Sequence, residues 1–270
     1  MKTPTSDSEY RLADDGTLIM TRHQRNFEPR HIFDTFGKVW ALAYSDFPPN
    51  TIGVQTRDGL CILEGRKAML TPPGSIVEWV LLRPFELTWQ ALLFRRPYPE
   101  HWSGRAIAFD LGSAEVPSTF TDVEKIMQAK LTLENQVPPP FIDFEKREDS
   151  NPYSLRLKRA IDEEFLSEKT LQEYANELGI HPDVMTRYFK QTFGMVPVDY
   201  RTQLRLFQSI WTLIIDSPKV SDVAQEMGFN SLKNFYTLFT RYTGLQPGHF
   251  RVFGRKQAAK SSKVRAEISL

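Results

Sequence analysis

Two segments of the sequence contain side chains that suit hydrogen bonding to the edges of nucleic-acid bases. If residues 182–193 and 231–242 are helical, their apolar residues pack inward at helical spacing and leave a polar face outward. The outward residues are Asp183, Thr186, Arg187 and Lys190 in the first segment, and Leu232, Lys233, Asn234, Thr237 and Arg241 in the second. Arginine forms two hydrogen bonds with guanine and asparagine forms two with adenine, so the pattern predicts base reading in a major groove. For any single residue a merely solvated side chain is the alternative, and we expect Asp183 to favour the helix N-terminus over cytosine.

The elements that must position these side chains occur twice. Ala175 and Gly179 recur at a spacing of 49 residues as Ala224 and Gly228. After the turn, Phe189, Gly194, Pro197 and Arg201 recur at a spacing of 50 as Phe239, Gly244, Pro247 and Arg251. A small residue inside a helix, followed by a glycine where the chain must leave it, predicts a helix-turn-helix unit. The expected helices begin near Ser154 and continue as Leu171–Leu178, Pro182–Phe193, Pro197–Asp216, Val220–Met227, Ser231–Tyr242 and Pro247–Phe253.

These residues resemble the AraC/XylS-type DNA-binding domain, in which a long helix joins two helix-turn-helix units. The resemblance covers residues 153–253 and is most specific in Gly228-Phe229-Asn230-Ser231 and the residues Phe235, Phe239, Gly244, Pro247 and Arg251. It implies a transcription regulator, more often an activator, with double-stranded DNA and RNA polymerase as partners. It also implies that residues early in both second helices read the bases. His181 stands where the family commonly has serine, which implies weaker capping of the first such helix.

The composition is typical of a soluble globular protein, and 270 residues suffice for two domains. Residues 151–270 carry 17 Lys and Arg against 12 Asp and Glu, whereas residues 1–150 carry 17 against 21. The basic half suits attraction to phosphates. A single cysteine, Cys61, excludes an intramolecular disulfide framework and a multi-cysteine zinc site. The sequence shows neither a signal-peptide core nor a membrane-length apolar run, which favours a cytoplasmic protein without membrane attachment.

The first half predicts an antiparallel β-barrel. Short apolar segments alternate there with turn residues, among them Asp46–Asn50, Glu64–Arg66 and Pro72–Gly74. AraC-type regulators often have a cupin-like barrel at this position, so the expected fold class is α+β, with a cupin-like barrel before an all-α domain. Residues Phe120 to Asn135 predict a helix that either covers the barrel or forms a dimer contact. The expected division is a sensor and dimerisation domain at 1–137, a linker at 138–152, the DNA-binding domain at 153–254 and a basic tail at 255–270, which either frays or attracts phosphates.

The barrel is also where a small effector is expected to bind. Its aromatic and basic residues Trp40, Trp79, Trp89 and Arg66 are the candidates for an apolar site, with ordinary core packing as the alternative for the aromatics. The histidines His23, His31 and His101 form no cluster, so neither a metal nor a cofactor is expected. No nucleophile elbow, phosphate loop or dinucleotide fingerprint occurs, and no catalytic residue is expected.

An apolar stripe on the connecting helix is the remaining feature. Phe207, Ile210, Trp211 and Ile214 follow one another at helical spacing, and an exposed stripe of this size favours association. It is expected to contact the N-terminal domain or a second chain, with ordinary core packing as the alternative.

Two other functions remain open from the sequence alone. An alkyl-transfer repair enzyme shares the DNA-binding module but needs several cysteines. A regulator controlled only by a protein partner would have no effector site.

Overall fold

The chain divides into a strand-rich part followed by helices. The computed structural model describes residues 5–56, 58–95, 106–113, 115–133, 141–142 and 151–254. The expected tail at 255–270, and most of the expected linker at 138–152, lie outside these residues. None of the described helices is long and apolar enough to cross a membrane. The α+β class predicted from the sequence is confirmed.

The first part is one antiparallel sheet, called here the N-terminal sheet. Its strands are β1 Thr5–Leu12, β2 Leu18–Phe27, β3 Arg30–Asp34, β4 Trp40–Thr56, β5 Gly59–Thr71, β6 Val77–Leu81, β7 Phe85–Phe94, β8 Ala106–Asp110 and β9 Phe141–Ile142. The hydrogen-bonded order is β1-β2-β7-β4-β5-β8-β9, with β6 joined to the second half of β4 and β3 joined to β6. Strand β4 therefore pairs with β7 along its first half and with β6 along its second half, which folds the sheet around an interior.

All eight residues of β1 pair with β2, and two other segments of the sheet differ from the sequence predictions. The segments Asp46–Asn50 and Glu64–Arg66 were expected to be turns, but they lie inside β4 and β5. The two segments face each other at a β-bulge, where the pairing register of β4 with β5 shifts between Phe47 and Ile52. The ladder bends there instead of ending, as bulges do.

A helix covers one face of the sheet. Helix α1 spans Phe120–Leu133, and its Val123 and Met127 are fully buried. They share a hydrophobic cluster with sheet residues such as Trp40 and Leu92. The packing of these two side chains corresponds to the covering role that was one of the two alternatives.

The second part consists of helices whose boundaries follow local capping signals. They are α2 Pro152–Glu164, α3 Leu171–Leu178, α4 Pro182–Phe193, α5 Pro197–Ile215, α6 Val220–Glu226 and α7 Leu232–Thr243. Residues 247–254 are also helical. Thr170 and Glu173 form a reciprocal capping box at the start of α3, and Gly179 ends that helix at a φ of 65°. The two halves of the repeat thus become α3–α4, the first unit, and α6–α7, the second unit.

The two units have separate hydrophobic cores. The first-unit cluster contains Phe189, Tyr200 and Leu204 together with Ile76, which directly precedes β6. The second unit belongs to a larger cluster, called here the shared cluster, which joins its residues to sheet residues. Its fully or nearly fully buried members from the sheet and the loop before β4 are Leu18, Met20, Phe36, Val39, Ala41, Ala43, Ala91 and Leu93. The core of the molecule therefore runs from the sheet into the helices.

Candidate nucleic-acid interface

Helix α4 places four predicted base-reading side chains away from its own core. Met185 and Phe189 are fully buried on the inner side. On the other side Asp183, Arg187 and Lys190 are exposed and Thr186 is half-buried. The Arg187 guanidinium lies 5.5 Å from the ring centroid of Tyr188, which orients it along the helix surface.

Helix α4 is capped by a histidine, where the family commonly has serine. His181 is the N-cap, and its Nδ1 accepts a hydrogen bond of 3.3 Å from the Asp183 backbone N–H. An imidazole nitrogen therefore supplies the acceptor that serine usually provides, although the bond is long. The Asp183 carboxylate lies 3.7 Å from the same ring nitrogen and close to the helix N-terminus, where a negative charge is favourable.

Helix α7 shows the same division of faces. Phe235 and Phe239 are fully buried, and all five outward residues predicted from the sequence are exposed. These residues are Leu232, Lys233, Asn234, Thr237 and Arg241. The Ser231 hydroxyl caps the helix by accepting from the Asn234 N–H at 3.3 Å. Thr237 donates its hydroxyl proton to the Lys233 carbonyl at 3.0 Å, so its methyl group and oxygen lone pairs remain for a partner. The outward residues of α4 and α7 are called the reading faces below.

Comparison with known proteins places this geometry in a family. Residues 174–252 match a family model described as a helix-turn-helix domain, and this range holds both reading faces. Together with the repeat and its two exposed second helices, the match settles the type of domain. This is an AraC/XylS-type DNA-binding domain.

Relatives of the AraC/XylS-type domain occur in several bacterial regulators. The chain is 31% identical over 113 residues to the bifunctional transcriptional activator/DNA repair enzyme AdaA of Bacillus subtilis, which covers 42% of this chain and 53% of AdaA. It is 25% identical over 167 residues to the transcriptional activator RhaS of Escherichia coli, covering 57% of this chain and 58% of RhaS. The chain thus spans only slightly more than half the length of each of these two relatives.

The fold of most of the chain is similar to that of a protein of known structure. ToxT from Vibrio cholerae O395 matches with a TM-score of 0.50 and 11% identity, covering 88% of this chain and 97% of that protein. At this identity the similarity concerns the fold alone. It extends the two-part architecture beyond the AraC/XylS-type domain.

The arginines repeated in the AraC/XylS-type domain hold loops in place. Arg201 donates to the Phe165 carbonyl at 3.0 Å and to the Ser167 carbonyl, and Arg251 donates to the Ser217 carbonyl at 3.1 Å. In each unit, therefore, the arginine that closes the sequence repeat binds a loop carbonyl preceding the first helix. Arg205 supports the same loop at Phe165, and burial together with the neighbouring Arg201 lowers its pKa to about 10. The two repeated arginines, Arg201 and Arg251, therefore hold the loops that precede the first helix of each unit.

The apolar stripe of α5 lies against the N-terminal sheet. All four of its members, Phe207, Ile210, Trp211 and Ile214, are buried and belong to the shared cluster. The ring of Phe207 lies 6.2 Å from that of Phe36, centroid to centroid. The stripe therefore contacts the sheet and also completes the core of the second unit.

The four candidate effector residues do not come together. Trp79 and Trp89 line one cavity in the interior of the sheet, with Tyr44, Arg22 and Asp34. Trp40 is buried on the opposite side of the sheet in the cluster under α1. Arg66 is on β5, where its guanidinium donates to the Gly112 carbonyl at 2.7 Å. The cavity has about 60 Å³ of free space, which is room for a few water-sized groups.

Two charged residues of this cavity were missed by the sequence reasoning. Arg22 donates from Nη2 to the Tyr242 carbonyl on α7 at 2.7 Å, and its guanidinium lies 5.6 Å from the Trp89 ring centroid. Burial raises the pKa of Asp34 to about 6, although Arg22 and the Thr35 N–H oppose this shift. The alternation of β2 was the available signal, because it places Arg22 on the same face as Met20 and Gln24. The partner of Arg22, the Tyr242 carbonyl, lies 220 residues later, so the residues around Arg22 in the sequence do not predict this contact.

Proposed function

We propose that this chain is a sequence-specific DNA-binding transcription regulator whose two recognition helices, α4 and α7, occupy adjacent major grooves. One observation supports this most directly. The reading faces are exposed on both helices of the AraC/XylS-type domain while the N-terminal sheet packs elsewhere on that domain. Arg187 and Asn234 are the proposed base readers, Thr186 and Thr237 contribute methyl or hydroxyl contacts, and Lys190, Lys233 and Arg241 serve bases or phosphates.

The partners follow from this role. DNA is the first partner, and RNA polymerase is proposed as the second because relatives such as RhaS are named transcriptional activators. A homodimer is compatible with one chain that covers an asymmetric site of about two helical turns. The cytoplasm is the proposed location, since such a protein must reach the chromosome.

Control by a small effector is proposed for the cavity that contains Trp79 and Trp89. Its walls are largely apolar with a few convergent polar groups, as in small-molecule sites. Arg22 lines the cavity and also binds α7, so an effector that contacts its guanidinium changes a bond to the second recognition helix. Since the free space is about 60 Å³, an effector larger than a few atoms must move side chains of the wall.

The chain is proposed to have no enzymatic activity. The alkyl-transfer alternative is favoured only by the partial relationship with AdaA. Cys61, the single cysteine of the sequence, is half-buried on β5 and would be the methyl acceptor. Incubation with methylated DNA followed by mass analysis of the Cys61 peptide is expected to show no added methyl group. A regulator controlled by a protein partner would be recognised by capture of that partner together with failure of small molecules to change DNA affinity.

Selection from a randomised duplex pool by the full chain at physiological salt tests the central proposal. Two short conserved blocks about 10 base pairs apart are expected, because two recognition helices on one side of a duplex meet successive major grooves. Substituting Arg187 and Asn234 by alanine should each remove the preference in one block only. Enrichment of no sequence by the full chain would refute sequence-specific binding.

A further inference from the structure

Among the described residues, few direct contacts join α4 of the first unit to α7 of the second unit. The first-unit cluster and the shared cluster have no buried residue in common. Helix α5 runs through both units, and two long side-chain hydrogen bonds supplement it. Arg205 Nη1 lies 3.4 Å from the Gly228 carbonyl, and Gln203 Nε2 lies 3.4 Å from the Tyr242 hydroxyl. Bonds of this length are weak, so the direct connection between the two units depends mainly on α5, which places Leu204 in one cluster and Leu206 in the other.

The N-terminal sheet holds the C-terminal end of α4. The ring of Phe33 on β3 lies directly on Gly194, the C-cap of α4, so closely that a methyl group on Gly194 would overlap the ring. Near this point the Tyr200 hydroxyl lies 2.9 Å from the Gly74 carbonyl. Lys38 adds an ion pair of 3.6 Å with Asp162 on α2.

The same sheet holds the C-terminal end of α7. Ser8 on β1 lies on Gly244, the C-cap of α7, where an added methyl group would overlap the serine side chain. The Tyr10 hydroxyl donates to the Thr243 carbonyl at 2.8 Å, and Arg22 donates to the Tyr242 carbonyl at 2.7 Å. These donors satisfy carbonyls of the last helical turn, which have no partner inside the helix.

A series of hydrogen-bonded strand pairs connects β3, which contacts the end of α4, with β1, which contacts the end of α7. Strand β3 pairs with β6, β6 with β4, β4 with β7, β7 with β2 and β2 with β1. Each of these strand pairs contains at least four paired residues, and the path passes along β4 beyond its bulge. The sheet therefore contacts the C-terminal ends of both recognition helices.

We propose that the N-terminal sheet determines which spacing between two DNA half-sites the chain accepts, by holding Gly194 and Gly244 at the ends of the recognition helices. The inference rests on the proposed function and adds a specificity determinant that makes no contact with DNA. The reading faces lie along the helices and stay exposed, so the sheet acts on spacing without covering the residues that read bases.

Two glycine substitutions in the full chain provide a matched test. Gly179 and Gly194 both end a helix, with φ of 65° and 74°, so alanine strains the backbone similarly at both. A methyl group at Gly179 meets nothing within 4 Å, whereas at Gly194 it meets Phe33. Dissociation constants are measured on duplexes that carry the two selected half-sites at the best spacing and at spacings changed by one and two base pairs. The quantity compared is the dissociation constant at a changed spacing divided by that at the best spacing. We expect this ratio to fall toward one in Gly194→Ala and to stay at the wild-type value in Gly179→Ala.

Other outcomes would overturn the inference. An unchanged ratio in Gly194→Ala would show that the contact with Phe33 does not set spacing. An equal fall in both variants would assign the effect to cap strain and not to the sheet. If Gly194→Ala does not fold, Phe33→Ala removes the contact from the other side, and Phe85→Ala is its control. Phe85 is buried in a sheet cluster that contains no residue of the helical part. The same ratio in Phe33→Ala and in wild type would then overturn the inference.

Failure of the proposed function gives a different result. If wild-type protein selects no half-sites, DNA reading itself is refuted and no spacing ratio exists. If wild-type protein selects half-sites but accepts all spacings equally, the function stands and the inference is wrong.

Discussion

Two charged residues at the junction of sheet and helices, Arg22 and Asp34, are only partly accessible to water. Asp34 lines the cavity together with Arg22 and accepts a hydrogen bond of 2.9 Å from the Thr35 N–H. Desolvation outweighs both favourable contacts and raises its pKa from 3.8 to about 6. The folded chain therefore holds a proton at Asp34 at pH values where the unfolded chain has lost it.

The first prediction concerns the pH dependence of stability. The contribution of Asp34 to the free energy of unfolding is fully present below about pH 4 and is lost as the pH rises through about 6. The reason is that the pKa of Asp34 is higher in the folded chain than in the unfolded chain. Asparagine mimics the protonated acid, so Asp34→Asn should raise the free energy of unfolding at pH 7.5, by at most about 3 kcal/mol, and change it little at pH 4. Chemical denaturation at both pH values measures this. An equal gain at both pH values would contradict the assignment.

The second prediction separates reading from attraction on α4. Arg187→Ala should weaken binding to the selected site by about 1–3 kcal/mol and relax the preference at its base pair, because a two-point contact with guanine is lost. Lys190→Ala should weaken binding to all sequences alike. It should also reduce the slope of the logarithm of the binding constant against the logarithm of the salt concentration by about one. Fluorescence anisotropy titrations on selected and scrambled duplexes at several salt concentrations measure both effects. A uniform loss for Arg187→Ala would instead make it a phosphate contact.

Individual helices were more predictable than individual strands. The ends of α3 and α4 agree with the sequence prediction because proline, threonine and glycine act locally there, through caps and a left-handed turn. The bend inside β4 and β5 depends on two distant segments that face each other, and neither Pro48-Pro49 nor Gly65 reveals its partner by itself. The same distinction holds for the site. The reading faces follow from helical periodicity, whereas the Arg22–Tyr242 contact depends on the tertiary fold.

The third prediction belongs to the start of α4. The His181 cap bond is 3.3 Å long, and serine is the better N-cap residue. His181→Ser should therefore raise the free energy of unfolding by about 0.5–1 kcal/mol. Thr170→Ala breaks the capping box of α3 and should lower the free energy of unfolding by about 1 kcal/mol. It is the control that shows the effect of losing an N-cap. Urea denaturation compares the variants, and a loss of stability in His181→Ser would show that the imidazole does more than cap.

At the scale of the whole molecule, the shared cluster joins the N-terminal sheet to the second unit. Trp211 is 4% exposed and lies among sheet residues of the shared cluster, with the Arg95 guanidinium 6.0 Å from its ring centroid. Burial of a large aromatic side chain contributes a few kcal/mol, so this one residue holds much of the contact. Docking of the sheet and folding of the second unit are therefore coupled.

The fourth prediction tests that coupling. Trp211→Lys places a charge in the shared cluster, and lysine is chosen because Arg95 would pair with a carboxylate. The radius of gyration from small-angle scattering should increase, because separation of the parts hydrates the charge at lower cost than burial. Ile215→Lys on the same helix is the control, since Ile215 is 62% exposed and its change should leave the radius unaltered. An unchanged radius in Trp211→Lys would contradict the coupling.

The shared cluster also affects how such proteins can be recombined. Hybrid regulators are commonly imagined as one sensor joined to the DNA-binding half of another, with the junction in the linker. In this chain that junction would divide a core, because Phe207 and Trp211 on α5 are buried together with Phe36, from the loop before β4, and with residues of the sheet face beside it. A foreign helix would bring different side chains to that face and leave holes or clashes. A functional hybrid therefore has to transplant the inner face of α5 together with the sheet.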